Sequence, residues 1–214
     1  MSDAQQFDRN KPPAPPESAT NPVRGLQEVG RTGRGKIGPE AWNPPFCGDI
    51  DMRIASDGTW YYLNSPIGRK PLVQLFASVL RRDEDMHYYL VTPVEKCGIR
   101  VDDAPFLAVA MAVDGQGRDQ LITFTTNLDD EVPVDGEHPL RFAAEPATHG
   151  LKPYVLVRGR LEALVARPIF YDLVALGGVE RRDGVDWFGV WSAGRFWSMA
   201  RAEDIDIGAG NAGS

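Results

Sequence analysis

Cysteine is nearly missing from this chain of 214 residues, which has only Cys47 and Cys97. So low a count excludes a disulfide-stapled scaffold, which needs several pairs. The two stand in no paired spacing, so the expectation is a pair of quiet, reduced structural thiols. Histidine is scarce too. His87, His138 and His149 are scattered, and none shows the spacing of a zinc site with cysteine or carboxylate partners. No Gly-x-Ser-x-Gly elbow occurs. No apolar run approaches the roughly 20 residues a membrane helix requires. The opening MSDAQQFDRNKPP lacks the apolar centre of a secretion signal. No membrane insertion and a cytoplasmic location are therefore expected. Positive charge is in deficit, with 23 Lys and Arg against 30 Asp and Glu and a formal net charge of -7. That balance argues against binding bulk nucleic acid, which needs a basic surface. It leaves room for a small anion held by a few arginines.

Proline, by contrast, is abundant at the start. Eight of the 17 prolines fall within the first 45 residues, among glycines and almost no apolar periodicity. Such a composition buries too little surface to offset chain entropy, so residues 1–41 read as an extended arm. GRTGRGKI, residues 30–37, matches part of a phosphate-binding loop. It lacks the Ser or Thr that would hold magnesium, follows no buried strand, and runs into Pro39, so it reads as part of the arm. GAGNAGS, residues 208–214, reads as a loose tail.

The body between them is duplicated. In the first half a strand at Trp60 leads to Pro71 and an apolar stripe at Leu72, Leu75, Phe76, Val79 and Leu80, the spacing of a helix over 71–82. Arg81-Arg82-Asp83 and a strand, HYYLVTP, follow. In the second half a strand at Tyr154 leads to Pro168 and Ile169, Phe170, Leu173, Val174 and Leu176, a helix over 168–176. Arg181-Arg182-Asp183 and a strand, DWFGVWS, follow. The rest is strand-rich. A hairpin is predicted around Asp114-Gly-Gln-Gly and another around Ser192-Ala-Gly-Arg. Residues 107–112 are apolar on both faces and read as a central, buried strand. The fold class is therefore α+β, two tandem and structurally similar small domains, each a β-sheet packed by one helix. Residues 42–113 make the first domain and residues 114–207 the second.

Arginine precedes proline at both helix starts. Arg69 and Lys70 stand before Pro71, and Arg167 before Pro168, beside backbone N–H groups that lack helical partners. A helix N-terminus with an arginine suits a phosphate or carboxylate. Internal pairing with Glu95, Asp102 or Asp103 is the alternative, since cations at a helix N-terminus call for a nearby anion. In the ligand reading Arg69, Arg158 and Arg167 hold anionic groups, Asp102 and Asp103 orient them or accept from a base or sugar, and Asn127 and Tyr171 add polar and stacking contacts.

Several stretches resemble one bacterial family of unknown function, DUF1285: CGDIDMRIASDGTWYYLNSPIGR, LVQLFASVLRR, YYLVTPVEKCGIRVDDAPF, TFTTN and PYVLVRGRLEALVAR. VTPVEKCGIRVDDAPF is the most specific of them. The resemblance implies a duplicated two-domain core whose C-terminal domain is a pleckstrin-homology-like barrel capped by a helix. It also implies a ligand site at the domain interface suited to a nucleotide-like molecule, and a role in signal transduction. It implies no reaction, cofactor or catalytic residue. The reading is thus a regulatory protein that binds a small anionic ligand. One alternative is a protein-interaction module with Trp187, Trp191, Phe196 and Trp197 as its contact surface. Another is a hydrolase using Asp102 and Asp103 as acid and base.

Overall fold

Proline sets the start of both helices. The computed structural model describes residues 38–145 and 150–204, and within them α1 spans Lys70–Ser78 and α2 spans Arg167–Ala175. Pro71 and Pro168 each lie in the first turn, where a missing N–H has no helical partner to lose. The second helix falls where its spacing placed it. The first does not continue to residue 82. Val79 leaves helical backbone, and Leu80–Arg82 becomes a strand because Leu80 gains a cross-strand partner in Leu90. Val79 and Leu80 are buried all the same.

The first sheet contains β1 (Phe46–Ile54), β2 (Trp60–Tyr62), β3 (Ser65–Pro66), β4 (Leu80–Arg82), β5 (Tyr88–Val91) and β6 (Lys96–Val101). Their order is β3-β2-β1-β6-β5-β4, antiparallel except where β1 meets β6. β1 alternates as a half-buried strand must, with Ile50, Met52 and Ile54 inward and Asp49 and Asp51 outward. Leu63 and Asn64 both take positive φ, the geometry of a tight turn between β2 and β3. The β1–β6 pairing also corrects the expectation of two separate thiols. It brings the Cα atoms of Cys47 and Cys97 to 5.4 Å, and the two are joined as a disulfide.

The second sheet is a half-barrel of β7 (Phe106–Asp114), β8 (Leu121–Thr126), β9 (Glu131–Pro133), β10 (Leu140–Glu145), β11 (Gly150–Arg158) and β12 (Leu161–Val165), in the order β10-β11-β12-β7-β8-β9. A third sheet, β13 (Gly178–Arg182), β14 (Val185–Ser192) and β15 (Arg195–Arg201), completes the second domain. Both predicted hairpins form, β7–β8 and β14–β15. Sheet membership changes between β6 and β7, so the boundary expected at 113 falls inside β7. Nor is β7 buried along its length. Phe106 and Ala108 are inside, whereas Val109 and Val113 are 44% and 39% exposed. Its parallel neighbour β12 pairs only with residues 106–108 before the chain turns into α2.

The two units share an order of elements. In each unit an antiparallel three-strand meander, a helix and a second such meander follow one another: β1–β3, α1, β4–β6, then β10–β12, α2, β13–β15. β6 pairs with β1, and its counterpart β15 lies against β10. β7–β9 have no counterpart in the first unit.

One hydrophobic core runs through both domains, from Trp60 and Phe76 to Phe106, Phe124 and Leu161. Trp60 and Phe76 stack with centroids 6.2 Å apart. The segment expected to end the arm is docked on this body, since Arg81 donates to the carbonyls of Pro39 (2.8 Å) and Trp42 (2.7 Å). The rest of the predicted arm, including GRTGRGKI, and the tail lie outside the described residues. The third sheet is tied to the second by a buried hydroxyl. Ser192 Oγ donates to the Val134 carbonyl at 2.7 Å and accepts from the Ile122 N–H at 2.9 Å. Replacing Ser192 by alanine strands both groups, and the expected loss is about 1–3 kcal/mol of unfolding free energy, measured by urea titration.

Candidate functional site

The end of α1 leaves carbonyls without helical partners, and the second domain supplies a cation to one of them. Arg158, at the end of β11, donates to the Ala77 carbonyl at 2.5 Å, and its guanidinium lies 5.1 Å from the centre of the Phe106 ring. Arg158 lines an open cleft of about 480 Å³ together with Pro39, Gln74, Ala77, Ser78, Leu128 and Asp130. The cleft therefore takes its walls from both domains. Among the described residues no carboxylate comes within ion-pair distance of Arg158. Burial pulls its pKa below the ordinary arginine range, and the charges of Asp130 and Glu40 partly oppose that shift. A guanidinium has five N–H donors, so most of those on Arg158 are available to a ligand.

The start of α1 is tied to the segment that carries Leu128 and Asp130. Lys70 Nζ lies 2.7 Å from Asp129, and Gln74 Nε2 donates to the Leu128 carbonyl at 3.0 Å and to Asp129 at 3.3 Å. Gln74 and Ser78 are four residues apart, on one polar strip of an otherwise apolar helix. That strip is legible in the sequence from the four-residue spacing alone. Asp130 is fixed through Thr126, whose Oγ1 accepts from the Asp130 N–H at 3.1 Å. Gly58, with φ of 81°, brings the first domain's turn close to Asn127, where an added Cβ would meet Asn127 Nδ2 at 2.6 Å.

The other sequence candidates are dispersed. Arg69 caps α1 with extended backbone, and Arg167 is the first residue of α2; both are exposed. By helix position the counterpart of Arg167 is Lys70, not Arg69. The carboxylates expected beside these arginines are engaged elsewhere. Asp102 pairs with Arg53 at 2.6 Å and Arg100 at 3.3 Å. Asp103 accepts from Lys152 Nζ at 2.9 Å and the Tyr154 hydroxyl at 2.7 Å. Glu95 lies beside the cysteines, away from both helix starts in its contacts. Asn127 ties the domains together, accepting from the Leu107 N–H at 3.1 Å and reaching the Gly58 carbonyl at 3.4 Å. Tyr171 is 64% exposed on α2. Of the nine candidates, only Arg158 lines the cleft, and Lys70 pairs with Asp129, next to the lining residues Leu128 and Asp130.

A second hollow, of about 520 Å³, is lined by residues 40–43, Arg81 to Asp85 and Arg160. Its cations already have partners: Arg81 has Asp83 and two carbonyls, Arg82 the Met86 carbonyl, and Arg160 Glu84. This separates it from the Arg158 cleft.

The fold and cleft define a two-domain α+β protein, each domain mostly β-sheet with one helix, with an arginine-bearing hollow where they meet. The chain belongs to the DUF1285 family. The model of its N-terminal domain of unknown function matches residues 39–104, and that of its C-terminal domain matches residues 105–199. The crystal structure of a DUF1285 family protein from Silicibacter pomeroyi DSS-3 is similar at 51% identity and a TM-score of 0.74, covering 84% of this chain and 96% of that one. A DUF1285 family protein from Shewanella baltica OS155 is similar at 26% identity and a TM-score of 0.46, covering 58% and 91%. Among curated proteins there is no match.

Near the domain junction Tyr154 gives a titration that reports on Asp103. Burial, and next its hydrogen bond to Asp103, raise the Tyr154 pKa to about 12. The phenol should therefore stay protonated well beyond the ordinary tyrosine range near pH 10. In Asp103→Asn its transition should move down, read by ultraviolet difference titration against Tyr154→Phe.

Proposed function

We propose that this protein binds a small anionic ligand in the cleft between its two domains. The observation that carries the reading is Arg158, a half-buried guanidinium on an open cleft, without a carboxylate partner among the described residues. A buried cation is costly unless it is paired, and a phosphate or carboxylate entering the cleft would supply the pair. The backbone capping of Ala77 accounts for one donor only. Asp130 stands on the same wall and disfavours a compact, highly charged anion. It favours a molecule with an anionic group at one end and hydroxyl or amino donors at the other, which is the profile of a nucleotide-like ligand. Domain junctions are common places for such sites. A ligand touching both walls would couple the domains' relative arrangement to its binding, which is the physical basis for a regulatory role. The pleckstrin-homology-like description of the second domain belongs to this proposal as well.

The interaction-module alternative fares less well. Phe196 and Trp197 are buried, and Trp191 lies beneath Arg118, whose guanidinium is 4.5 Å from its ring centre. The paired aspartates likewise have cations of their own, which removes the motive for an acid and base pair. No helix among the described residues is long and apolar enough to cross a membrane.

The test is a thermal-shift screen of nucleotides and phosphorylated metabolites, with calorimetry on any hit. Arg158→Gln should weaken binding about tenfold or more, the loss of a charged hydrogen bond worth roughly 1.5–3 kcal/mol. Arg69→Ala and Arg167→Ala, whose side chains do not line the cleft, should bind as the parent does. If no anion stabilises the parent, or if Arg158→Gln responds equally, the reading fails.

A further inference from the structure

Cys47, Glu95 and Cys97 form a cluster that the ligand cleft does not use. Cys47 lies on β1 and Cys97 on β6, its parallel neighbour. Glu95 stands two residues before Cys97, so both side chains leave the same side of the chain where it enters β6. One ligating atom from each residue lies within 4.8 Å of the other two. Lys96, between them, is occupied with other groups. Its Nζ is 3.1 Å from Asp83 and 4.4 Å from the centre of the Tyr89 ring. Thr92 holds the approach to the strand, its Oγ1 accepting from the Glu95 N–H at 3.2 Å while its own N–H donates to the Glu95 carbonyl at 2.9 Å. Cys97 is buried, whereas Cys47 and Glu95 are half-buried, so the cluster opens to solvent on one side. Cys47 Sγ is also 3.3 Å from the Lys96 carbonyl, an acceptor that a thiol can use and a disulfide cannot.

We propose that the reduced form of this cluster is a metal site of two thiolates and one carboxylate, which takes one thiophilic divalent cation of the zinc class. Reduction draws two electrons and two protons from a dithiol reductant, which closes its own disulfide as the Cys47–Cys97 bond opens. The cation then displaces the two thiol protons to solvent, and Glu95 supplies an oxygen ligand. Thiolates select zinc-like ions over calcium or magnesium, which prefer all-oxygen shells. Ligands roughly 2.0–2.3 Å from a tetrahedral zinc stand about 3.5 Å from one another, a spread that neighbouring strands accommodate. Three protein ligands leave the fourth position, on the solvent side, to water. Disulfide and metal compete for the same two sulfurs, so each state excludes the other.

The test uses the full chain, reduced, stripped with a chelator and titrated with Co²⁺ under inert gas. Saturation at one equivalent is expected, with a thiolate-to-cobalt charge-transfer band in the near ultraviolet and the visible bands of tetrahedral cobalt. Zn²⁺ should bleach both, and Mg²⁺ should not. Cys47→Ser and Cys97→Ser should each weaken the charge-transfer band. Glu95→Gln should keep that band but bind at least about tenfold more weakly, the lower bound set by loss of even an outer-shell partner. Because the parent protein alone gives the primary signal, a poorly folding variant does not decide the matter. No charge-transfer band at saturation overturns the proposal, as does a thiol count showing that reductant leaves the pair closed. Unchanged affinity in Glu95→Gln overturns the three-ligand site.

Discussion

The parallel pairing of β1 with β6 is the constraint from which most of the first domain follows. β1 begins the domain and β6 ends it, so the chain between them must leave the sheet, cross by α1 and return through β4 and β5. Parallel neighbours always require such a crossover. The same pairing closes two small meanders into one sheet, seats α1 against it through Val73 and Phe76, and leaves the end of α1 exposed to the second domain. Arg158 meets that end. The cleft is thus a by-product of how one sheet is closed.

Much of this was legible in the sequence. The prolines, the apolar stripes and the hairpin turns are local signals, and local signals fix the second helix, both hairpins and the repeated order of elements. What failed did so where a distant partner decided the outcome. Leu80 fits the stripe of α1 as well as it fits a strand, and only its pairing with Leu90 chooses between them. The strand from Leu107 to Ala112 is apolar on both faces, yet burial depends on how far β12 runs beside it. Cys47 and Cys97 become neighbours only once β1 and β6 pair.

The candidate site shows the same division. Arginine beside a proline-led helix start was the strongest electrostatic signal in the chain, and it led to Arg69 and Arg167, which solvent accommodates. The charge of Arg158 is legible in the sequence, and its position at the end of another domain's helix is not. Gln74 and Ser78 had no signal of their own beyond a polar strip on a helix, and Asp130, in the loop between β8 and β9, had none. The carboxylates Asp102 and Asp103 pair with Arg53, Arg100 and Lys152 and not with the arginines at the helix starts, a choice that only the folded chain makes.

The half-open β7 carries a consequence for how copies of this protein meet one another. Beyond Ala108 only β8 pairs with it among the described residues, and Val109 and Val113 are exposed there. An edge of that kind is a template for a second extended chain. Here the register shifts between Ala108 and Ala110, and such a bulge bends the strand and tightens its twist. The strand then ends on Asp114, and the whole molecule carries net negative charge. Twist spoils the fit of an incoming strand, and charge slows its approach. Straightening that bulge, by deleting one residue of β7, would remove the twist that keeps this edge from accepting a second strand.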